Sequence, residues 1–336
     1  MKRFETVALA VVMLVIAGCG GGGGGGGSSD ASSTQPAFIT GAIGTIDYWP
    51  RFSPDGQTIL FTRCAADPSC SIAPTGGPFA LFKIAVTGGE ATPLFTPPAG
   101  FAATRPDWSW NEDLASGQIA FAYTDVAETF SELWLIDQDG SSPLMVPTLD
   151  HASYPSFFPD GASVSVEVPH MPGPFLEQIA VPSGTILATQ NVLWTGESAV
   201  SRDGSMLALA AQEPIAGGQY DDAKNLIWIE NSDGSNLRML DGLEGRTPNW
   251  SPHDTLVEFE SNRNCGKSKN YAIFVERPTG GRAHQLTDCA FNANHAVWSP
   301  DGKRLALAIE LPGTGSLTPG GWWGLAVMQV RRGLHP

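Results

Sequence analysis

Positive charge is scarce in this sequence: 19 Lys and Arg face 34 Asp and Glu, a formal net charge of −15 over 336 residues. Such a chain is repelled by nucleic-acid phosphates and anionic headgroups, so no nucleic-acid partner is expected and the protein surface itself does not hold a membrane. Long hydrophobic runs are also wanting. The apolar stretch Val7 to Ala17 is too short to span a bilayer as a permanent helix. Uninterrupted helix-forming sequence is short as well, because 39 Gly and 26 Pro are too many breakers to hide in helix caps. A helical bundle and a coiled coil are therefore excluded. Disorder is excluded too, since 42% of the residues are apolar, 10 Trp and 16 Phe among them, and can bury a sizeable core. What is left is a turn-rich globular protein of the all-β class.

The N-terminus reads as an address. Met1 to Arg3 is a short basic start, and Val7 to Ala17 has the length of a secretory h-region. The tetrad Ile16-Ala17-Gly18-Cys19 that ends it resembles the bacterial lipobox. That resemblance implies a signal peptide over 1–18 and diacylation of Cys19; an ordinary signal peptide with a chance cysteine is the alternative. Gly20 rather than Asp follows, which in Gram-negative envelopes implies sorting to the outer membrane. Loss of 1–18 removes Lys2, Arg3 and Glu5 and leaves 17 basic against 33 acidic residues, so attachment has to come from the acyl chains. Gly20 to Gly27 and the small polar residues after them make 19–36 a flexible tether, spanning roughly 20 Å for about 15 residues.

Four cysteines remain in an exported, oxidising setting. They allow three connectivities, and the pairing expected is Cys64 with Cys70 and Cys265 with Cys289. Zinc is the competing use, but no C-x-x-C occurs.

An internal phrase recurs about every 49 residues: Phe52-Ser53-Pro54-Asp55-Gly56, Phe157-Phe158-Pro159-Asp160-Gly161, Val200-Ser201-Arg202-Asp203-Gly204 and Trp298-Ser299-Pro300-Asp301-Gly302. Degenerate copies stand at Trp108-Ser109-Trp110-Asn111-Glu112 and Trp250-Ser251-Pro252-His253-Asp254. After each comes an alternating strand such as Thr58 to Thr62, then a variable loop. A third strand such as Leu81 to Val86 follows, with a Gly-rich hairpin turn and a fourth strand. Six such units predict a six-bladed β-propeller of four-stranded antiparallel blades over 37–336. The last unit, with Trp323 to Val330 as its third strand, shows no fourth. The apolar segment Phe38 to Ile43 is expected to close the ring in its place.

The Ser-Pro-Asp-Gly phrase, the Thr-Gly-Gly turn and this period resemble the TolB-like β-propeller repeat over about 38–332. The resemblance implies a periplasmic envelope protein that binds other components. The N-terminal α/β domain that TolB carries before its propeller is not expected here.

In such blades the turns joining strands one to two and three to four share one face, and here they are short. The other connections carry the insertions: Cys64 to Pro78, Asp125 to Ser131, Pro169 to Pro174, Gln212 to Lys224, Asn262 to Asn270 and Leu311 to Gly321. Long loops on one face of a rigid scaffold are where binding residues accumulate. A fourth strand beginning on the short-turn face would bring the tether to that face and turn the long loops away from the anchoring membrane. Trp322-Trp323 beside the last insertion offers an exposed contact, with at least one of the two expected between blades.

The residues that begin the innermost strands are expected to ring a central funnel: Trp49, Arg105, Tyr154, Glu197, Thr247 and His295. Arg51, Asp107 and Arg246 lie close enough to contribute. This mixture suits a small polar ligand or a peptide terminus, and equally a solvated lining. G-x-S-x-G and H-E-x-x-H are absent, Gly266-Lys267-Ser268 lacks the rest of a P-loop, and Asp137-x-Asp139-Gly140 and Asn231-x-Asp233-Gly234 are hairpin turns rather than calcium loops. No cofactor or metal is expected. The function expected is a non-enzymatic, monomeric, lipid-anchored binding or scaffold module for an envelope protein or glycan. A funnel-site enzyme such as a polysaccharide lyase or hydrolase is the rival, and it needs Arg105, Glu197 and His295 to converge.

Overall fold

The computed structural model describes residues 35–330 except 66, 68, 73–74, 112, 115–116, 128, 149–150, 171–172, 191–194, 216–218, 268–269 and 313–320. Cys19, the signal segment and the Gly-rich tether lie outside the described residues.

The recurring phrase builds one turn. At its first copy Ser53 Oγ donates to Asp55 Oδ1 at 2.5 Å and accepts the Thr58 N–H at 3.0 Å, while Asp55 Oδ1 accepts the Gln57 N–H at 2.9 Å. The same bonds recur around Ser201 with Asp203 and Ser299 with Asp301. Short polar side chains thus replace backbone partners in the turn. Its last residue is left-handed, with φ of 67° at Gly56 and 74° at Gly204, which glycine adopts at no steric cost. In the fifth copy Asp254 takes that conformation at φ 56°, and its carboxylate accepts the N–H groups of Arg202 and Asp203 from the preceding unit.

From these turns the chain runs in antiparallel groups of four. The first blade is Thr45–Phe52, Thr58–Ala65, Ala80–Ala85 and Thr92–Phe95; the second is Phe101–Trp108, Ile119–Asp125, Ser131–Ile136 and Leu144–Met145. The third is Ser153–Phe157, Ser163–His170, Gly173–Ala180 and Thr185–Gln190, and the fourth Thr195–Val200, Met206–Ile215, Gln219–Asn231 and Arg238–Glu244. The fifth is Arg246–Trp250, Val257–Ser261, Ala272–Glu276 and His284–Gln285. The sixth is Ala293–Trp298, Arg304–Glu310 and Trp323–Gln329, completed by Ala37–Phe38. Blades two to five are separate sheets. The sixth and first form one eight-stranded sheet, joined by a parallel bridge between Ile46 and Trp323.

Alternation along each strand gives every blade two apolar faces, and each face meets its neighbour. Leu60 and Leu81 of the first blade pack with Ile119 and Phe121 of the second. Ile227 and Ile229 of the fourth pack with Val257 and Phe259 of the fifth. Trp323 and Leu325 of the sixth pack with Ile46 and Phe61 of the first, which closes the ring. Each such buried side chain contributes about 1.5–3 kcal/mol, so these seams between blades hold the propeller together.

Two expectations need correction. The closing strand is Ala37–Phe38 rather than 38–43, because Ile39 and Thr40 only continue it through N–H bonds to Leu325 O, and Ile43 is 80% exposed. Much of the insertions at 169–174 and 212–224 is strand: the second and third strands pair on to Pro169 opposite Pro174 in the third blade and, after a register shift at Gln212, to Ile215 opposite Gln219 in the fourth. Trp323 is buried among the residues of the ring-closing seam, with Trp322 half-buried against them, so at least one of the pair packs between blades as expected. Pairing of Ala37 with Val327 and of Phe38 with Ala326 does run the closing strand from the short-turn face toward the long-loop face.

Both cysteine pairs are disulfides. Cys64–Cys70 and Cys265–Cys289 have Cα separations of 5.8 and 5.4 Å. Cys265 follows the second strand of the fifth blade and Cys289 lies in a single 3-10 turn, Cys289–Phe291, after its fourth.

Candidate functional site

Each innermost strand carries an irregularity three residues before the recurring phrase. The register shifts between Tyr48 and Arg51, Thr104 and Asp107, Ser153 and Ser156, Thr195 and Glu197, Arg246 and Asn249, and Asn294 and Val297. Such a bulge re-aims a side chain that the regular pleat would direct into a seam. Proline follows at Pro50, Pro106, Pro155 and Pro248, where a strand would otherwise need an N–H for its ladder. Five bulge residues are left-handed: Trp49, Arg105, Tyr154, Thr247 and His295, with φ between 46° and 51°. For non-glycine residues this stores about 1–3 kcal/mol each, the kind of strain that clusters at functional sites. In the fourth blade the shift falls one residue earlier, at Gly196, and Glu197 is not left-handed.

These six residues line a single pocket, together with Arg51, Pro155, Ser198, Pro248, Asn249 and Ala296. Asp107 and Arg246 stand behind it. Arg51 Nε donates to Asp107 Oδ1 at 3.1 Å, and Arg246 pairs with Glu260 and donates to Asn294 Oδ1 at 3.0 Å. The Arg105 guanidinium lies 4.5 Å from the Tyr154 ring centroid and 5.3 Å from that of Trp49. The Tyr48 ring meets the rings of His295, Trp49 and Trp323 edge-on at 4.6, 5.1 and 5.3 Å. An aromatic belt therefore grips the charged groups from the side.

Desolvation dominates the protonation of the lining. It raises Glu197 to about 7, with Glu260 adding to the rise and Arg246 and Arg105 opposing it. It raises Glu167 to about 8 against the pull of Arg105. Tyr154 goes to about 12 for the same reason. His295 is held well below its ordinary range by burial and by Arg246, Arg51 and Arg105, so its ring is neutral at physiological pH. Glu258 and Glu260 are pushed up by burial as well.

Arg105, Glu197 and His295 thus share one pocket from three different blades, with Arg105 electrostatically coupled to both of the others. Glu167, Glu258 and Glu260 were not among the expected residues. Their signal is in the sequence: Ser-Val-Ser-Val-Glu-Val and Val-Glu-Phe-Glu-Ser put acids on second strands that are otherwise built for burial. Among the described residues no group of three or more His, Cys, Asp or Glu is placed to hold a metal ion. No helix among them is long and apolar enough to cross a membrane.

The molecule is a β-propeller of four-stranded antiparallel sheets, and its solved neighbours are of that kind. A putative TolB from Agrobacterium tumefaciens superposes with a TM-score of 0.57 at 16% identity, over 85% of this chain and 91% of that one. TolB from Acinetobacter baumannii gives 0.55 at 14% identity, over 86% of this chain and 64% of that one. An oligogalacturonate lyase from Vibrio parahaemolyticus gives 0.51 at 14% identity, over 87% and 92%. These likenesses establish the fold alone. By sequence, an uncharacterized peptidase, YuxL of Bacillus subtilis strain 168, is 31% identical over 95 residues, which span 28% of this chain and 14% of that protein. No family model matches the chain.

Proposed function

We propose that this chain is a six-bladed, lipid-anchored propeller of the bacterial envelope, monomeric, that binds a protein or glycan through its long-loop face with the funnel at the centre. The observation that carries this reading is the convergence of Trp49, Arg105, Tyr154, Glu197, Thr247 and His295 on one pocket, all but Glu197 by way of strained bulges. Strain repeated at equivalent positions of five blades is kept only where the surroundings over-determine it. The direction of the closing strand supports an anchor on the short-turn side, and with it a long-loop face turned toward the periplasm from the outer membrane. TolB neighbours fit a binding role. Affinity capture from crosslinked envelopes, with and without the insertions 262–270 and 311–321, tests it: loss of a specific partner on trimming is expected, and an unchanged partner set sinks the reading.

Catalysis in the funnel is a second reading, favoured by one observation. Glu167 at about 8 and Glu197 at about 7 sit beside Arg105 in the range suited to general acids and bases. It requires turnover of an acidic oligosaccharide that Glu197→Gln abolishes; no turnover by the intact protein removes it.

A further inference from the structure

We propose that the floor of the funnel takes the carboxylate at the end of a peptide chain, held by the Arg105 guanidinium and the Trp49 indole N–H beside the Glu197 carboxyl. This rests on the reading of the funnel as a binding site and names the group it binds.

Size comes first. The centre of a water-sized sphere reaches only about 30 Å³ of the pocket. That is room for about two waters. A carboxylate can enter this narrow part, with the rest of its chain in the open funnel above it, about 420 Å³ in all.

Donor chemistry comes second. Trp49 is 4% exposed, lines the pocket, and its Nε1–H meets no acceptor among the described residues. An indole N–H can only donate, so the group that satisfies it is an acceptor. Arg105 lines the same pocket and its guanidinium lies over the Trp49 ring. A planar guanidinium matches a carboxylate in two parallel hydrogen bonds. Glu197 accepts the Thr247 N–H on its carboxyl, while Oε2 is buried with no partner among the described residues. When protonated, that oxygen is a third donor.

The charges around Glu197 decide when that happens. Glu260 and Arg246 face it from the fifth blade and Arg105 from the second; Tyr48, Tyr154 and Glu167 feel its charge from the first and third. Burial and the three arginines hold the His295 ring well below its ordinary range. With Glu197 raised to about 7 by desolvation, and Glu167 to about 8, both carboxyls are neutral in mildly acidic solution while a peptide terminus is already ionised. Binding is therefore strongest between about pH 5 and 7 and weakens above, as Glu197 ionises and repels the ligand.

The test uses N-acetyl-diglycine with a free C-terminus, the same compound as its C-terminal amide, and glucuronate. Each is titrated into the intact propeller while the Trp49 indole resonance, assigned through Trp49→Phe, is followed by NMR. The acid is expected to shift that resonance and the amide to leave it. Affinity should fall at least tenfold from pH 6 to 8.5, and at least tenfold in Arg105→Gln at pH 6. Glu197→Gln, which keeps a donor without acquiring charge, should lose less affinity between pH 6 and 8.5 than the parent, the remaining loss following ionisation of Glu167. Equal response to acid and amide, a pH-independent affinity, or preference for glucuronate overturns the proposal, and all three are measured on the intact propeller. Envelope partners still captured by Arg105→Gln would overturn the carboxylate assignment alone and leave the binding role of the long-loop face standing.

Discussion

Asp107 Oδ1 accepts the Arg51 Nε–H at 3.1 Å while its other oxygen accepts the Phe157 N–H at 2.8 Å, so one carboxylate of the second blade ties the first blade to the third. Burial pushes this carboxyl up, and Arg51 pulls against the shift. The bond lies just beneath the funnel, where Arg51 also lines the pocket.

Removing one partner of that pair leaves the other charge desolvated. Asp107→Ala is expected to cost about 3 kcal/mol. The double replacement Arg51→Met with Asp107→Leu should cost less than the single, because neither charge is then stranded. Urea unfolding of both variants checks this, and a double variant weaker than Asp107→Ala contradicts it.

Two glycines share a left-handed backbone but differ in the space beside them. A Cβ on Gly204, at φ 74°, would stand 2.9 Å from Pro159 Cδ, whereas one on Gly266, at φ 62°, would meet nothing within 4 Å. Gly266→Ala should lose about 1 kcal/mol from backbone strain alone. Gly204→Ala must also displace a proline ring in the neighbouring blade's turn and should lose about 2–3 kcal/mol. Thermal unfolding of the two variants ranks them.

The two disulfides close loops of different length, with sequence separations of 6 and 24. Constraint of the unfolded chain grows with loop length, so replacing Cys265 and Cys289 by Ser should cost about 3 kcal/mol and replacing Cys64 and Cys70 about 2 kcal/mol. Denaturation midpoints of the two double variants measure the difference. The reverse order would point to the packing of Gly77 against Cys64 Sγ as the larger effect.

Stability should depend on pH in two opposing limbs. Glu167, Glu197, Glu230 and Glu276 are raised from 4.5 to about 8, 7, 7 and 7, in each case first by desolvation. The folded chain keeps protons that the unfolded chain has lost, so this stability is full below about 4.5 and disappears as pH rises through 7 to 8. His295 acts in the opposite sense: the unfolded chain gains a proton below about 6.5 that the folded chain refuses, and stability falls on acidification. The expected melting temperature is higher at pH 6 than at pH 8.5, with Glu167→Gln flattening the alkaline limb and His295→Asn the acid one. An alkaline limb unchanged in Glu167→Gln contradicts the assignment.

Much of the fold is legible in the residues themselves. Ser53 with Asp55, and their repeats, mark where each innermost strand ends, because short-range side-chain bonds need only neighbours in sequence. The ring Trp49, Arg105, Tyr154, Glu197, Thr247 and His295 is expected where the innermost strands begin; it does line the pocket, but Trp49 and Arg105 stand inside strands, Thr45–Phe52 and Phe101–Trp108, that begin earlier. The bulge that turns these residues inward is not legible that way, since a register shift depends on the strand opposite. Nor is the reach of the paired strands into 169–174 and 212–224, where pairing across the strands overrides a composition that reads as loop. Glu167 and Glu260 were missed because a lone acid on an alternating strand does not reveal which blade it will face.

The sequence by itself determined the all-β class, the period, the turn chemistry and which cysteines are close enough along the chain to pair, all of which rest on local bonding and alternation. Only the tertiary structure decided that Ala37 and Phe38 close the ring and that Asp107 joins three blades. It also decided that Arg105 and Glu197 meet in one pocket, with the desolvated Glu167 electrostatically coupled to both. Those depend on groups far apart in the chain being taken out of water together, and that is a property of the closed ring rather than of any one blade.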